Sequence, residues 1–344
     1  MRLSKVLWTE ALKLGMVMLG MFIFVGCNGN GHNLEDDESQ SDIAQQDGDV
    51  DDEDSLSSVE FVKDTGFING IRLLGTDTGD IQTLNLIYPY SKGTETASWK
   101  LAEWGSNHAL GNVEQEVKGD SIIYANQAKR VVFIKEEAQD KPHVLLEVIA
   151  SEDYTSVRKD GEDWPHLLLE QTMADEIALE DMESLELNMG LSLVYDKMMM
   201  DPSEFDESLH TSQVSLYLTI SDSTDFFWFG IPVFDHRRPD GIPLYAAQDL
   251  GKDDASKKFI VSIASEEFFP GSLQKSGSID VDKDILPYIK NAFERAKRQG
   301  YLEDAHWSDM FISSFNFGWE TTGTFDSGML VRELQLTGRY RAGN

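Results

Sequence analysis

The chain has 344 residues, of which 41% are hydrophobic, and a formal net charge of −32 at pH 7. This length and apolar content suffice for one large domain or two ordinary ones with a buried core. The excess of 61 acidic over 29 basic residues argues against nucleic acid or anionic lipid as a partner, because either would be repelled. The single cysteine, Cys27, excludes an intrachain disulfide and a zinc site built from cysteines.

The first 27 residues have the pattern of a bacterial export signal. Basic residues come first, an apolar run extends from Leu14 to Val25, and Gly26 and Cys27 follow. An apolar run this short is typical of a signal peptide rather than of a membrane-spanning helix. The segment FVGC, which ends at Cys27, resembles the lipobox of bacterial lipoproteins, although Phe24 stands where leucine is usual. The alternative is a buried N-terminal helix with an incidental cysteine.

The lipobox resemblance implies a signal peptide over 1–27 that ends at a lipidated Cys27, export, and a membrane anchor of acyl chains. Because Asn28 rather than aspartate follows the cysteine, we expect an outer-membrane or cell-surface location. Residues 28–58 are rich in acids, Gly, Asn, Ser and Gln, which predicts a disordered acidic tether. The folded domain is then expected over 59–344.

Beyond the tether, short runs of β-forming residues recur between turn residues. No helical runs alternate with them, so the pattern predicts an all-β protein, a two-sheet β-sandwich or jelly roll, rather than a βαβ fold. One α-helix is inserted at about 284–299, with Asp284 as its expected N-cap, Pro287 in its first turn and Gly300 as its stop. The predicted strands are 67–74, 81–88, 121–125, 130–135, 143–150, 166–171, 189–196, 213–220, 226–234, 259–264, 311–319 and 329–337.

The segment WPHLLLEQ carries the first candidate site. Strand alternation places Trp164, His166, Leu168 and Glu170 on one face. Such a face suits a concave ligand surface, with Glu170 as acid or base and His166 as its hydrogen-bonding partner. The alternative is an edge strand with a satisfied histidine and an exposed glutamate.

A second candidate lies in DFFWFGIPVFDHRR. Alternation places Phe234 on the same face as Trp228 and Pro232. Because Pro232 cannot donate a ladder hydrogen bond, we expect the strand to bend or bulge there. The bend would bring Asp235, His236, Arg237 and Arg238 together, either around an anionic ligand group such as a uronate carboxylate or in ion pairs with the surplus acids.

Aromatic and polar residues alternate again in FISSFNFGWETTGTFD. Phe315, Phe317 and Trp319 share a core face, while Asn316 and Glu320 share the opposite face and could look into a groove. Trp319 is also counted as a candidate ligand contact. Earlier in the chain, Trp99 and Trp104 either flank a sugar or plug the core.

The segments WPHLLLEQ, FFWFGIPVFDHR and FGWETTGTFD resemble parts of uncharacterised secreted bacterial β-sandwich proteins. The general arrangement is similar to that of concanavalin A-like lectins and glucanases. This resemblance implies a concave sheet that faces a glycan, but it does not imply catalysis. The motif Glu-x-Asp-x-x-Glu of the glucanases is absent from the chain.

Three functional hypotheses follow. The first is a lipid-anchored surface protein whose β-sandwich binds a polysaccharide. The second is a glycan-cleaving enzyme, either a hydrolase or a lyase. The third is a structural envelope lipoprotein without a glycan site. No cofactor and no metal ligand set is expected, and a structural calcium ion that no motif announces stays an open alternative. The candidate ligand contacts are Trp164, His166, Asp235, His236, Arg237 and Trp319, and the candidate catalytic residues are Glu170, His166, His236 and Glu320.

Overall fold

The structure is a computed structural model that describes residues 56–77, 83–90, 93–135, 141–249 and 256–341. Within these residues, seventeen strands and three short or medium α-helices are present. The strands are β1 Leu56–Glu60, β2 Ile71–Leu74, β3 Thr83–Ile87, β4 Trp99–Ala102, β5 Glu116–Lys118, β6 Ser121–Ala125, β7 Lys129–Ile134, β8 His143–Ile149, β9 His166–Thr172, β10 Met182–Met198, β11 Ser212–Ser221, β12 Phe226–Asp235, β13 Tyr245–Gln248, β14 Phe259–Ser262, β15 Ser278–Asp284, β16 Phe311–Thr321 and β17 Phe325–Arg341. The helices are α1 Ala150–Asp153, α2 Leu273–Ser276 and α3 Leu286–Arg298.

Two sheets pack face to face. As far as the described residues show, the first has eight strands in the order β15-β10-β17-β8-β7-β6-β5, with β1 also paired to β17. The second has nine strands in the order β13-β14-β12-β11-β16-β9-β4-β2-β3. The pairs β12–β14 and β2–β4 are parallel, while the other pairs within the two sheets are antiparallel. The predicted all-β, two-sheet sandwich is therefore confirmed.

The hydrophobic core fills the space between the sheets. Alternate residues of the central strands supply it, such as Leu167 and Leu169 of β9 and Phe315 and Phe317 of β16. Helix α3 covers one end of the core, where Phe293 contacts Phe227 of β12. Burial on this scale is the main favourable term in folding, at about 25 cal/mol per Å² of apolar surface.

The predicted bulge at Pro232 is present, and it changes which residues face the core. The pairing of β11 with β12 shifts register between Val214 and Ser215, which lie opposite Phe234 and Pro232. Because the bulge adds a residue, Phe234 turns into the core and packs edge-on against Trp319, with ring centroids 5.7 Å apart. The prediction that Phe234 shares a face with Pro232 was therefore wrong.

Helix α3 was predicted correctly except at its start. Ile285 occupies the N-cap position and provides no side-chain cap, and Pro287 lies in the first turn. Asp284 instead ends β15, and its carboxylate accepts hydrogen bonds from the backbone N–H groups of Leu286 and Leu185. The side chain thus joins the helix start to β10.

The N-terminal part of the chain is described only from Leu56. Strand β1 begins there, inside the range predicted for the tether, and pairs with the end of β17. Cys27, the signal segment and most of the acidic tether lie outside the described residues. Among those that are described, no helix is both long and apolar enough to cross a membrane.

Candidate functional site

A cleft crosses the outer face of the nine-stranded sheet, the face turned away from the core. Its central row is set by strand register: Lys100 pairs with Glu170, Glu170 with Asn316, and Asn316 with Tyr217. Paired residues point to the same face of a sheet. Strands β4, β9, β16 and β11 therefore deliver four polar side chains, side by side, into one cleft.

We refer to this feature as the sheet cleft. The volume that the centres of water molecules can occupy in this cleft is about 40 Å³, which is enough for a few ordered waters. Aromatic rings, charged groups and amides all contribute to its walls. The lining residues are Lys100, Trp104, His166, Leu168, Glu170, Gln171, Thr172, Tyr217, Trp228, Ser314, Phe315, Asn316 and Glu320.

Glu170 lies at the centre of the sheet cleft and is 6% exposed. Burial raises the pKa of its carboxyl to about 8, and the nearby Lys100 offsets this only in part. Among the described residues, its side chain makes no hydrogen bond and no ion pair within 4 Å. Glu170 is therefore a buried carboxylic acid that is largely protonated at neutral pH.

Two other polar groups that line the sheet cleft are also without hydrogen bonds from the described part of the chain. The indole N–H of Trp104 is buried and has no acceptor. The side-chain amide of Asn316 is half-buried and has none either. Since about nine in ten buried polar groups in proteins are paired, this concentration in one cleft points to groups left for water or a ligand.

A second carboxylate, Glu320, lies at the other end of the sheet cleft. Its Oε2 accepts a hydrogen bond from Nε2 of Gln213 at 3.3 Å and lies 3.8 Å from Nε2 of His166. On the other side of the ring, Nδ1 of His166 lies 2.9 Å from the carbonyl oxygen of Trp164 and 3.2 Å from that of Trp104. Because carbonyls only accept, the hydrogen bonds place a proton on Nδ1. The ring is thereby fixed against Glu320.

The two carboxyl groups are separated along the strands. Glu170 pairs with Asn316, and Glu320 is four residues further along β16, which at about 3.4 Å per residue is about 14 Å between backbone positions. Leu168 and Gly318 form the floor between them. The carboxyl groups are too far apart for direct contact, and this spacing leaves room for a water molecule.

The sequence-predicted cluster around Asp235 is a structural corner and not part of the sheet cleft. Arg237 donates to both oxygens of Asp235, from Nε at 2.9 Å and from Nη2 at 2.7 Å. Burial alone would raise the pKa of Asp235, but the bonds from Arg237 and Thr211 outweigh it and hold the pKa below its usual range. Arg238 pairs with Glu207. Arg237 and Arg238 therefore both form ion pairs with acidic residues of the chain, which was the second of the two interpretations of this cluster.

His236 also turns away from the sheet cleft. Its Nδ1 lies 2.5 Å from Oδ2 of Asp196 on β10, and its ring packs against Phe325 and Phe205. This pair links the two sheets, because Asp196 belongs to the eight-stranded sheet. The expectation that His236 and Arg237 contact a ligand together therefore finds no support in their positions.

Two predicted ligand tryptophans are buried in the protein. Trp319 is a core residue, and its N–H donates to the carbonyl oxygen of Leu146 at 3.0 Å. Trp164 is covered by the guanidinium of Arg158, 4.8 Å from its ring centre, and does not line the sheet cleft. Trp99 stacks on Phe67 in the core. Of the four candidate tryptophans Trp99, Trp104, Trp164 and Trp319, only Trp104 lines the sheet cleft.

Sequence analysis missed Lys100 and Tyr217 as cleft residues. Tyr217 stands with Ser215 and Thr219 at alternate positions of β11, between the apolar residues Val214, Leu216, Leu218 and Ile220. This alternation was the available signal for a polar outer face. Lys100 lies on β4, a strand of four residues that is too short to show a period. Within the described residues, no group of three or more His, Cys, Asp or Glu side chains is placed to hold a metal ion.

A wider depression of about 850 Å³ opens near the start of α1. It is mostly polar, and acids such as Glu152 and Glu162 line it. Its buried acid, Asp153, is already bonded by the hydroxyl of Ser106 and the backbone N–H of Asn107. The buried acid here is committed to the protein, in contrast to Glu170 of the sheet cleft.

No family model and no curated protein matches this chain. Among solved structures, similarity extends to a variant of the Cel12A cellulase of Rhodothermus marinus, with 8% identity, 70% of this chain and 100% of that chain covered, and a TM-score of 0.37. A family 12 xyloglucanase from Bacillus licheniformis has 10% identity, coverage of 70% and 100%, and a TM-score of 0.35. A family 11 xylanase from Neocallimastix patriciarum has 9% identity, coverage of 68% and 97%, and a TM-score of 0.34. Scores this low carry no functional assignment, and the β-sandwich rests on the strand pairing itself.

Proposed function

We propose that this chain is an exported, lipid-anchored protein that binds a polysaccharide in the sheet cleft. The observation that carries the proposal is the set of uncommitted polar groups on Glu170, Asn316 and Trp104. They line the same cleft as the rings of Tyr217 and Trp228. Binding sites typically combine apolar walls with a few placed polar groups, and sugars offer both hydroxyl groups and apolar C–H faces.

The size of the sheet cleft limits how a sugar chain binds. A space that holds a few waters is too small to enclose a sugar ring. We therefore infer that the polysaccharide lies along the open side of the cleft, with hydroxyl groups replacing the waters beside Glu170 and Asn316. A long polymer suits this mode better than a single small sugar, because each ring contributes only a few contacts.

The lipid anchor is supported by the sequence alone. A basic start, a short apolar run and the segment that ends at Cys27 are the features of a lipoprotein signal. The acidic tether that follows would hold the β-sandwich away from the membrane, where the sheet cleft can reach polymers outside the cell.

A second candidate function is hydrolysis of the bound glycan. It is favoured by one observation: Glu170 is largely protonated at neutral pH, as a general acid must be, while Glu320 accepts a hydrogen bond from Gln213 and lies next to the ring of His166. Inverting glycosidases place their carboxyl groups about 6.5–9.5 Å apart with a water between, whereas retaining enzymes need about 5–5.5 Å. The backbone positions of Glu170 and Glu320, about 14 Å apart along the strands, are further apart than either separation, so hydrolysis requires the two side chains to lean toward each other over Leu168 and Gly318.

The test is to incubate the purified full chain with a panel of neutral and acidic polysaccharides. Retarded migration in gels that contain one of the polymers, without new chain ends, is the expected result for binding alone. New chain ends that disappear in Glu170→Gln would instead assign hydrolysis, with Glu170 as the acid. Absence of both retardation and cleavage across the panel would contradict the proposal and favour a structural envelope protein.

A further inference from the structure

Two cations stand next to each other at one end of the sheet cleft. Arg72 on β2 pairs in register with Lys100 on β4, and Lys100 pairs with Glu170 on β9. These side chains share the outer face of the sheet. The amine of Lys100 donates to the hydroxyl of Thr172 at 3.0 Å, and both of these residues line the cleft. Arg72 extends this row by one strand.

Neither cation has a carboxylate partner within ion-pairing distance in the part of the chain that the structure describes. Many surface lysines and arginines of the described chain also lack an ion pair, but Arg72 and Lys100 stand side by side at a cleft, and the Nε–H of Arg72 is buried. Other basic residues do find acids, and the pairs are Lys63–Asp175, Lys129–Glu103, Arg130–Glu147, Arg237–Asp235, Arg238–Glu207, Lys258–Asp225, Lys275–Asp240, Arg332–Asp280 and Arg341–Glu183.

The environment of the two cations favours an anion between them. Burial lowers the pKa of Lys100; Glu170 counters this in part, and the charge of Arg72 adds to the lowering. The Nε–H of Arg72 is buried and has no acceptor among the described residues. A buried donor without an acceptor costs about 1–3 kcal/mol. Glu170, the nearest acid in register, is largely protonated at pH 7, so its compensation is partial, and no other carboxylate of the described residues forms an ion pair with either cation.

We propose that Arg72 and Lys100 bind the negative group of an anionic polysaccharide at this end of the sheet cleft. The group is a carboxylate of a uronate or a sulfate ester, since both offer oxygens to a planar guanidinium and to an amine. This inference rests on the proposed function and narrows it from polysaccharides in general to acidic ones. The large negative charge of the protein would repel such a polymer at long range, so the attraction must come from local contacts.

The test measures binding of the full chain to four polymers by calorimetry. They are polygalacturonate, its methyl-esterified form, a sulfated carrageenan and the neutral xyloglucan. The double variant Arg72→Gln/Lys100→Gln is compared with Lys118→Gln/Lys290→Gln, which removes the same charge from the other sheet and from α3. We expect the first variant to bind the anionic polymer at least 30-fold more weakly, which corresponds to a loss of about 2 kcal/mol in binding free energy. The second variant should bind the polymer as tightly as wild type.

The arms of the experiment separate the possible outcomes. Preference for polygalacturonate that is lost on methyl esterification identifies a uronate carboxylate, and preference for carrageenan identifies a sulfate ester. Equal losses in both double variants would mean a general charge effect and overturn the inference. Binding of xyloglucan that matches or exceeds that of the acidic polymers would also overturn it, while the proposed function would stand. If none of the four polymers binds, both fail.

Discussion

Replacing Glu170 by glutamine is expected to stabilise the protein at alkaline pH by several kcal/mol. Burial raises the pKa of Glu170 from 4.5 to about 8, which at 1.36 kcal/mol per pKa unit corresponds to roughly 4–5 kcal/mol. The folded state holds the proton and the unfolded state does not, so stability from this group is complete below pH 4.5 and is lost as pH rises through about 8. Glutamine has the same shape and never ionises.

The measurement is urea unfolding of wild type and Glu170→Gln at pH 5 and pH 9. We expect similar free energies of unfolding at pH 5 and a higher value for the variant at pH 9. Glu294→Gln, on the exposed side of α3, is the matched control and should not change the pH dependence. Parallel pH profiles for wild type and Glu170→Gln would show that the carboxyl is not held in its neutral form.

This expected gain has a functional meaning. A residue whose replacement stabilises a protein is not retained for stability, and active and binding sites commonly carry such groups. If Glu170→Gln stabilises the fold while it weakens glycan binding or abolishes cleavage, the carboxylic acid is there for the ligand. Its hydrogen would be donated to a sugar oxygen, which is the role left open by its lack of a partner in the described chain.

The second large effect is expected at the ion pair that joins the two sheets. Lys129 of β7 and Glu103, which follows β4, are both fully buried, with Nζ and Oε2 3.2 Å apart. Burial lowers the pKa of Lys129 and raises that of Glu103, and each charge partly compensates the other. Lys129→Met leaves Glu103 buried without its partner. We expect a loss of about 3–5 kcal/mol in the free energy of unfolding.

Two further variants make this prediction specific to the buried pair. Lys129→Met combined with Glu103→Gln removes both charges and should recover part of the loss, because the glutamine oxygen can still accept from the N–H of Leu110 as the Glu103 carboxylate does. Lys63→Met breaks a half-exposed pair with Asp175 and should cost less than about 1 kcal/mol. Equal losses for Lys129→Met and Lys63→Met in denaturant unfolding would contradict the assigned role of burial.

Most of the fold could be predicted because apolar residues alternate clearly on the long strands. Every one of the twelve predicted strands overlaps a strand of the structure. The strands that were missed, β1, β4, β5, β13 and β15, have three to seven residues or carry many charges. A period of two cannot be recognised over so few residues, and their pairing depends on partners that are distant in sequence.

The site was predictable to the extent that it follows strand alternation. The outward faces of β9 and β16 placed His166, Glu170, Asn316 and Glu320 in the sheet cleft. The Asp235 corner was not predictable in the same way. Whether its charged residues bind a ligand or each other depends on long-range contacts, such as that of His236 with Asp196, 40 positions away. Sequence alone shows the charges but not their partners.

Calorimetric titration of Asn316→Ala tests the central claim most directly. Asn316 lies at the middle of the sheet cleft and its amide makes no hydrogen bond to the described residues, so its removal should leave stability within about 0.5 kcal/mol of wild type. With the polysaccharide that retards the wild type, we expect about tenfold weaker binding, the effect of one lost hydrogen bond of about 1.4 kcal/mol. Asn188→Ala removes an equally half-buried amide from the outer face of the other sheet and should bind as wild type does. Equal affinities for wild type, Asn316→Ala and Asn188→Ala would contradict a glycan site in the sheet cleft.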